Sequence, residues 1–159
     1  SGALASMRTT IELEPGARFV GVETICFGRR ASGESFEHGS LRLATDIRAE
    51  GRLLWRERGC IEGGSPLLAS PIGLAGYTVC STVLAAGVDV AAETLSACRT
   101  VTAVEANAQC GVSALPNLFV GRYLGHSSEA ARQWFVELWQ HLRPVFVGKP
   151  AAVPRIWNT

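Results

Sequence analysis

The sequence predicts a mainly β protein, and three features carry that prediction. Between residues 8 and 124, several runs alternate apolar and polar residues, the period of a half-buried strand. Turn signals such as Glu14-Pro15-Gly16 and Ala49-Glu50-Gly51 separate these runs. One late stretch, near residues 127–143, has instead the apolar spacing of an amphipathic helix.

Taken in order, Thr9, Ile11 and Leu13 alternate with Arg8, Thr10, Glu12 and Glu14 and predict a first strand. Residues 18–27, rich in Phe, Val and Ile, predict a second, and the turn between them predicts a hairpin. Residues 28–39 read as a polar loop. Leu41, Leu43, Thr45 and Ile47 then alternate with charged or small residues, as do Leu53, Trp55 and Glu57 after the next turn. This predicts a second hairpin with one apolar and one charged face. Residues 62–76, with their glycines and prolines, read as a loop, and residues 77–86 as a strand. Asp89 is placed to cap a short helix near 89–99, because its carboxylate can accept orphan backbone N–H groups. Residues 100–104, 110–114 and 118–124 read as strands, the last two separated at Pro116. In the helix near 127–143, Ser127 or Ser128 is the expected cap and Glu129 suits the positive end of the dipole. Ala131, Trp134, Phe135, Leu138, Trp139 and Leu142 form its apolar stripe, and Pro144 is expected to end it.

Composition narrows the function. The 159 residues suit a single domain spanning 1–159. With 47% apolar residues the chain can build a core; with only 18% charged, below the usual ~25% of globular domains, some surface is expected to be covered by a partner. The net charge is +1, and no basic stripe is interleaved with aromatics, which excludes a nucleic-acid-binding pattern. No apolar run approaches the roughly 18 residues of a membrane-spanning helix. No signal-peptide pattern is present, so a cytoplasmic location is expected. Cys26, Cys60, Cys80, Cys98 and Cys110 form no CxxC pair and read as small buried hydrophobes in a reducing compartment.

Catalytic signatures are sparse. His38, His126 and His141 lie in no nucleophile motif, so a cysteine hydrolase would need a Cys–His pair assembled by the fold. Residues 59–64 contain glycines but no Walker lysine. His38, near Glu34 and Glu37, is a weak metal candidate in a loop that otherwise reads as solvated. Glu57 is expected on the apolar face of its strand, where a carboxylate needs a partner or water. It reads either as half of a salt bridge or as lining a wet cation channel. Trp134 and Trp139 serve either a core or an interface. Arg155, Ile156 and Trp157 end the chain in large groups that are expected to dock somewhere.

Several motifs, in order, resemble one family. The segment Gly28-Arg29-Arg30-Ala31-Ser32-Gly33-Glu34-Ser35-Phe36 is similar to a Gly-Arg-Pro-Ala-Ser-Gly-Glu-x-Phe loop, with Arg30 where that family often has proline. Ala114-Leu115-Pro116, Arg122-Tyr123-Leu124-Gly125, Glu129-Ala130-Ala131-Arg132, Leu142-Arg143-Pro144 and Pro154-Arg155-Ile156-Trp157-Asn158-Thr159 also match. The family is that of the urease accessory proteins UreD, also called UreH, and the chain resembles its C-terminal portion. The resemblance implies a stacked two-sheet β helicoid and a non-catalytic chaperone role. It implies binding to a UreF-type accessory protein, a UreG-type GTPase and apo-urease, with GTP hydrolysed by the GTPase. It also implies transient Ni2+ rather than a resident cofactor, and Glu57 and Glu62 as candidates along a nickel passage. Trp134, Trp139, Arg155 and Trp157 are the partner-binding candidates. A short chain of this family would leave a sheet edge uncovered, so self-association through that edge is a further expectation.

Overall fold

A computed structural model describes residues 2–153. Eleven elements follow in chain order: β1 Ala3–Leu13, β2 Phe19–Cys26, a 3-10 turn Arg30–Ser32, β3 Gly39–Ala49, β4 Arg52–Glu62, α1 Pro66–Ala69, β5 Val79–Ala86, α2 Ala92–Thr100, β6 Gln109–Leu115, β7 Leu118–Gly125 and α3 Ser128–Val147. The mainly β expectation holds. The strands form two sheets, ordered β1-β3-β4 and β2-β5-β7-β6.

The first predicted hairpin does not form. β1 pairs with β3 in parallel, and β2 pairs with β5 in the other sheet. The turn at Pro15, closed by Ala17 N–H donating to the Glu14 carbonyl at 2.9 Å, carries the chain across the sandwich instead of back along β1. Leu13 and Phe19 then meet across the inter-sheet space with Ile47, Leu84 and Leu118. Alternation assigns a residue to a face, but it does not say which strand lies alongside. The second hairpin does form: β3 and β4 pair antiparallel around Glu50 and Gly51, both at positive φ as a tight primed turn requires. A bulge between Ile47 and Arg48 shifts β4, so Leu54 joins Trp55 in the core while Leu53, expected inside, is exposed.

Three apolar clusters fill the two spaces between three layers, which are the two sheets and the helices. Two lie between the sheets, one around Ile47, Leu84 and Leu118, the other around Phe27, Leu41 and Leu74. The third and largest lies on the opposite face of the four-stranded sheet. There Val83, Phe119 and Tyr123 meet Trp134, Phe135, Leu138 and Leu142 of α3 and Cys98 of α2.

The helices correct three expectations. Asp89 does not cap α2, whose N-cap is Ala91; its carboxylate accepts instead from Asn117 N–H at 2.7 Å, where the β6–β7 turn needs a positive φ. Residues 101–103 form no strand, because α2 runs on to Thr100 and the Val101 carbonyl is taken by Trp134 Nε1–H at 3.4 Å and the Cys110 thiol at 3.9 Å. Pro144 lies inside α3 rather than ending it. A proline there removes one donor, yet the helix continues a further turn to Gly148, whose N–H donates to the Pro144 carbonyl. Buried Phe146 and the bond from Arg18 Nη1 to the Val145 carbonyl (2.7 Å) hold that turn. Ser127 caps α3 as expected, accepting from Ala130 N–H at 3.1 Å. The loop at 62–76 contains α1 and supplies Leu68 and Leu74 to the core.

All five cysteines are free thiols, but only Cys98 is buried and Cys80 half-buried; Cys26, Cys60 and Cys110 are exposed. The expectation of five buried hydrophobes is therefore corrected. Those three stand at strand positions whose side chains face outward or lie at a sheet margin.

Candidate functional site

Strand register places two polar rows face to face between the sheets. In the three-stranded sheet, Thr9 pairs with Thr45 and Thr45 with Glu57. In the four-stranded sheet, Glu23 pairs with Thr82 and Thr82 with Arg122. All six residues are half-buried. Apolar rows bound them on both sides: Ile11, Ile47 and Trp55 toward one cluster, Ile25, Cys80 and Leu124 toward the other. A cavity of about 140 Å³, lined in part by Thr9, Glu23, Thr45, Glu57 and Thr82, lies along the row.

One contact closes the row at the β4–β7 side. Arg122 donates through Nη2 to Glu57 Oε1 at 2.8 Å and through Nη1 to Thr82 Oγ1 at 2.6 Å. The guanidinium carbon also lies 6.0 Å from the centre of the Trp55 ring, a cation–π distance. Of the two readings of Glu57, the salt bridge is thus present. At the other side of the row, Glu23 has no salt bridge among the described residues. Next to the row, burial pushes the Cys80 thiol up, against the opposing field of Arg122. Burial also raises Cys98, to about 11. Both shifts disfavour the thiolate that a cysteine nucleophile needs.

The other predicted residues are not gathered here. Glu62 lies at the exposed end of β4, and alternation from Glu57 sets it on the outer face. His38 is exposed; nearby Glu34 is paired with Arg29 at 2.5 Å and Glu37 accepts from Ser35 Oγ at 2.7 Å. Among the described residues, no three His, Cys, Asp or Glu groups are gathered to hold a metal. Trp134 is 1% exposed and serves the core. Trp139 is half-buried, packs on Phe135 and donates from Nε1 to the Ala152 carbonyl at 3.0 Å. Arg155 and Trp157 lie outside the described residues.

The 28–36 loop lines a second, larger cleft of about 710 Å³ with Phe27, Tyr77, Thr78 and His126. Arg30 Nη1 lies 2.5 Å from His126 Nδ1, which must accept because a guanidinium only donates. Sequence reasoning missed this contact, and it missed Arg122. Arg122 carried a signal all the same: a charged residue at an inward position of a run otherwise apolar, Leu118, Val120 and Leu124.

On the outer face of the three-stranded sheet, Arg56 and Arg58 bracket Asp46 at 2.8 and 2.5 Å. Their bonds, Arg58 first, hold the Asp46 carboxyl at about 2. Glu105 anchors the entry to α3, accepting from Tyr123 OH (2.5 Å), His126 N–H (2.8 Å) and Ser127 N–H (3.1 Å). Burial pushes Glu105 up, but these bonds outweigh it and hold the carboxyl below its usual range.

Fold and site together define a β scaffold with a helical layer on one sheet and, between the two sheets, a polar row that holds an ion pair. Residues 1–158 match the family model described as UreD urease accessory protein, and the chain belongs to that family. It is 47% identical to the "Urease accessory protein UreD" of Dechloromonas aromatica (strain RCB), over 99% of this chain and 56% of the relative. It is 46% identical to that of Nitrosococcus oceani, over 100% of this chain and 53% of the relative, and 45% identical to that of Azoarcus sp. (strain BH72), over 99% and 55%. The chain thus spans about half the length of the curated relatives it matches.

Proposed function

We propose that this chain is a non-catalytic scaffold for urease maturation, acting in the cytoplasm. It binds a UreF-type accessory protein, and through it a UreG-type GTPase, and the assembly docks on apo-urease to deliver nickel. The observation that carries this reading is the family match over residues 1–158, with relatives named as urease accessory proteins. The polar row supports a role in cation handling, with Glu57 as its internal carboxylate and Glu62 as an outer one at the strand end. Ni2+ passes as cargo and is not resident. Trp139, Arg155 and Trp157 are proposed for partner contacts. Trp134 supports the same surface from beneath, through the core. No helix among the described residues is long and apolar enough to cross a membrane.

The test is co-expression with the UreF-type protein, followed by affinity capture and size-exclusion chromatography. Co-elution as a complex is expected, together with faster activation of apo-urease by Ni2+ when the GTPase and GTP are added. A chain that folds yet elutes apart from that partner overturns the proposal. Elution of the chain alone at twice its mass marks self-association through the edge strand β1.

A further inference from the structure

The cleft beside the 28–36 loop has two pinned walls. On one, Arg29 holds Glu34 through both carboxylate oxygens, at 2.8 and 2.5 Å, and Ser32 and Glu34 N–H donate back to the Arg29 carbonyl. On the other, residues 66–76 bond to themselves: Ser70 N–H donates to the Pro66 carbonyl at 2.9 Å, Leu74 N–H to Leu67 at 3.0 Å and Gly76 N–H to Leu68 at 2.7 Å. Gly64 N–H, donating to the Phe36 carbonyl at 3.0 Å, ties the two walls together. The floor is apolar: Phe27 is 4% exposed, the Phe36 ring lies 5.8 Å from it, and Leu68 packs on the same cluster. At about 710 Å³ this pre-formed cleft has the size of a ligand or peptide site.

Its charges are not balanced group by group. Arg29 neutralises Glu34, but Arg30, next in sequence, has no carboxylate among the described residues. Arg30 donates instead to His126, a neutral acceptor, which leaves the other N–H groups of its fork unused. His126 is itself held, with the Tyr77 ring 5.2 Å away and its backbone N–H on Glu105 at 2.8 Å. The cation is thus presented at a fixed point without an anion. Glu37 also lines the cleft and has no ion pair among the described residues, which opposes a multiply charged anion more than a single carboxylate. On the other wall, residues 63–76 carry no charge, and there Ile72 is 98% and Leu67 41% exposed. Large apolar side chains displayed by a self-bonded loop suit contact with another protein, because little ordering is needed on binding.

We propose that this cleft docks an acidic, apolar segment of a partner protein: one carboxylate of the segment pairs with Arg30, and its apolar neighbours rest on Phe36, Leu68 and the loop that carries Leu67 and Ile72. The carboxylate takes the unused N–H groups of the guanidinium fork, the bidentate pairing that arginine favours. Arg30 thereby gains the charged partner it lacks in the free chain. That the partner belongs to urease maturation rests on the scaffold reading above; the chemistry of the segment rests on the cleft.

NMR titration of the 159-residue chain with blocked pentapeptides tests the docking. One peptide carries Asp between two Leu residues; the other carries Asn in its place. The Asp peptide should shift the amide signals of Gly33, Gly64, Gly76 and His126. It should bind about fivefold more tightly than the Asn peptide, the scale of one charge-assisted contact at a partly exposed site. Arg30→Gln should erase that preference by weakening the Asp peptide alone. Arg30→Lys, which keeps the charge but not the fork, should retain part of it. Ile72→Ser should weaken both peptides alike and, at so exposed a side chain, leave the thermal midpoint unchanged. Equal binding of the two peptides, a preference that survives Arg30→Gln, shifts confined to another face, or no shifts at millimolar peptide overturns the proposal. Acetate or inorganic phosphate binding the cleft as tightly as the Asp peptide overturns the assignment to a protein segment. Circular dichroism establishes that each variant is folded; should the Arg30 variants unfold, the two peptides on the unmutated chain and on Ile72→Ser decide. These readouts use peptides and this chain alone, so they can fail while co-elution with the accessory protein succeeds, and the reverse.

Discussion

The two faces of the four-stranded sheet are built from the same strands and behave as different materials. On the helix side, Val83, Phe119 and Tyr123 alternate into a dry layer against α3, with Trp134, Leu138 and Leu142 each at or below 1% exposure. On the sandwich side, the residues in between are Thr82, Val120, Arg122 and Leu124, with a cavity and an ion pair. Consecutive strand residues point to opposite faces, so one strand can serve both layers without compromise. The helix face holds the largest apolar cluster, while the sandwich face divides its apolar packing into two clusters with a polar row between them.

The comparison breaks most decisively at Trp134. Trp134→Ala should cost about 3–5 kcal/mol, read as a collapse of the urea midpoint; a cost under about 1 kcal/mol would show that the helix layer is not the stabilising one. Gly121 comes next. A Cβ there would lie 3.1 Å from the Trp134 ring and 3.3 Å from Val83 Cβ. Gly121→Val should therefore destabilise by about 1–3 kcal/mol through overpacking, visible as a lower thermal midpoint.

Glu105 sharpens the comparison at the entry to α3. Glu105→Gln removes the charge on which Tyr123, His126 and Ser127 converge, and should cost about 1–3 kcal/mol at neutral pH. Its folded pKa is lowered, so its contribution is present above the unfolded carboxyl value and lost as pH falls through the lowered one. The stability difference between the unmutated chain and Glu105→Gln should accordingly shrink in acid and hold at neutral pH. On the sandwich side, Glu57→Gln should cost only about 1 kcal/mol or less, because its ion pair with Arg122 is partly exposed. A large loss of stability there would erase the division between the two faces. The smallest effect belongs to Asp46 on the outer surface. Its carboxyl titrates at about 2 because Arg58 and Arg56 hold it. Asp46→Asn should remove a stabilisation that is full above the unfolded carboxyl value and lost only as pH falls through about 2, seen as a flatter acid limb in a pH series of thermal melts.

Much of this fold was legible because its signals are local. The second hairpin followed from alternation around Ala49-Glu50-Gly51, and α3 from its apolar stripe and Ser127 cap. The failures are those where a distant group took over a local role. Asp89 went to the β6–β7 turn, and the Val101 carbonyl went to Trp134 instead of a ladder. The candidate site was half legible. Glu57 stood out as a carboxylate on an apolar face, but its partner is 65 residues away in sequence.

The sequence by itself determined the alternation of faces along most strands, where most turns fall, the capped helix and the family motifs. Those depend on a period of two or about 3.6 and on backbone preferences a few residues wide. Tertiary structure alone decided that β1 leaves β2 to lie parallel to β3, that a bulge swaps Leu54 for Leu53, and that Arg122 meets Glu57 across the sandwich. Each of these is set by packing two apolar sheet faces against each other. That pairing joins residues far apart in the chain, and no local period records it.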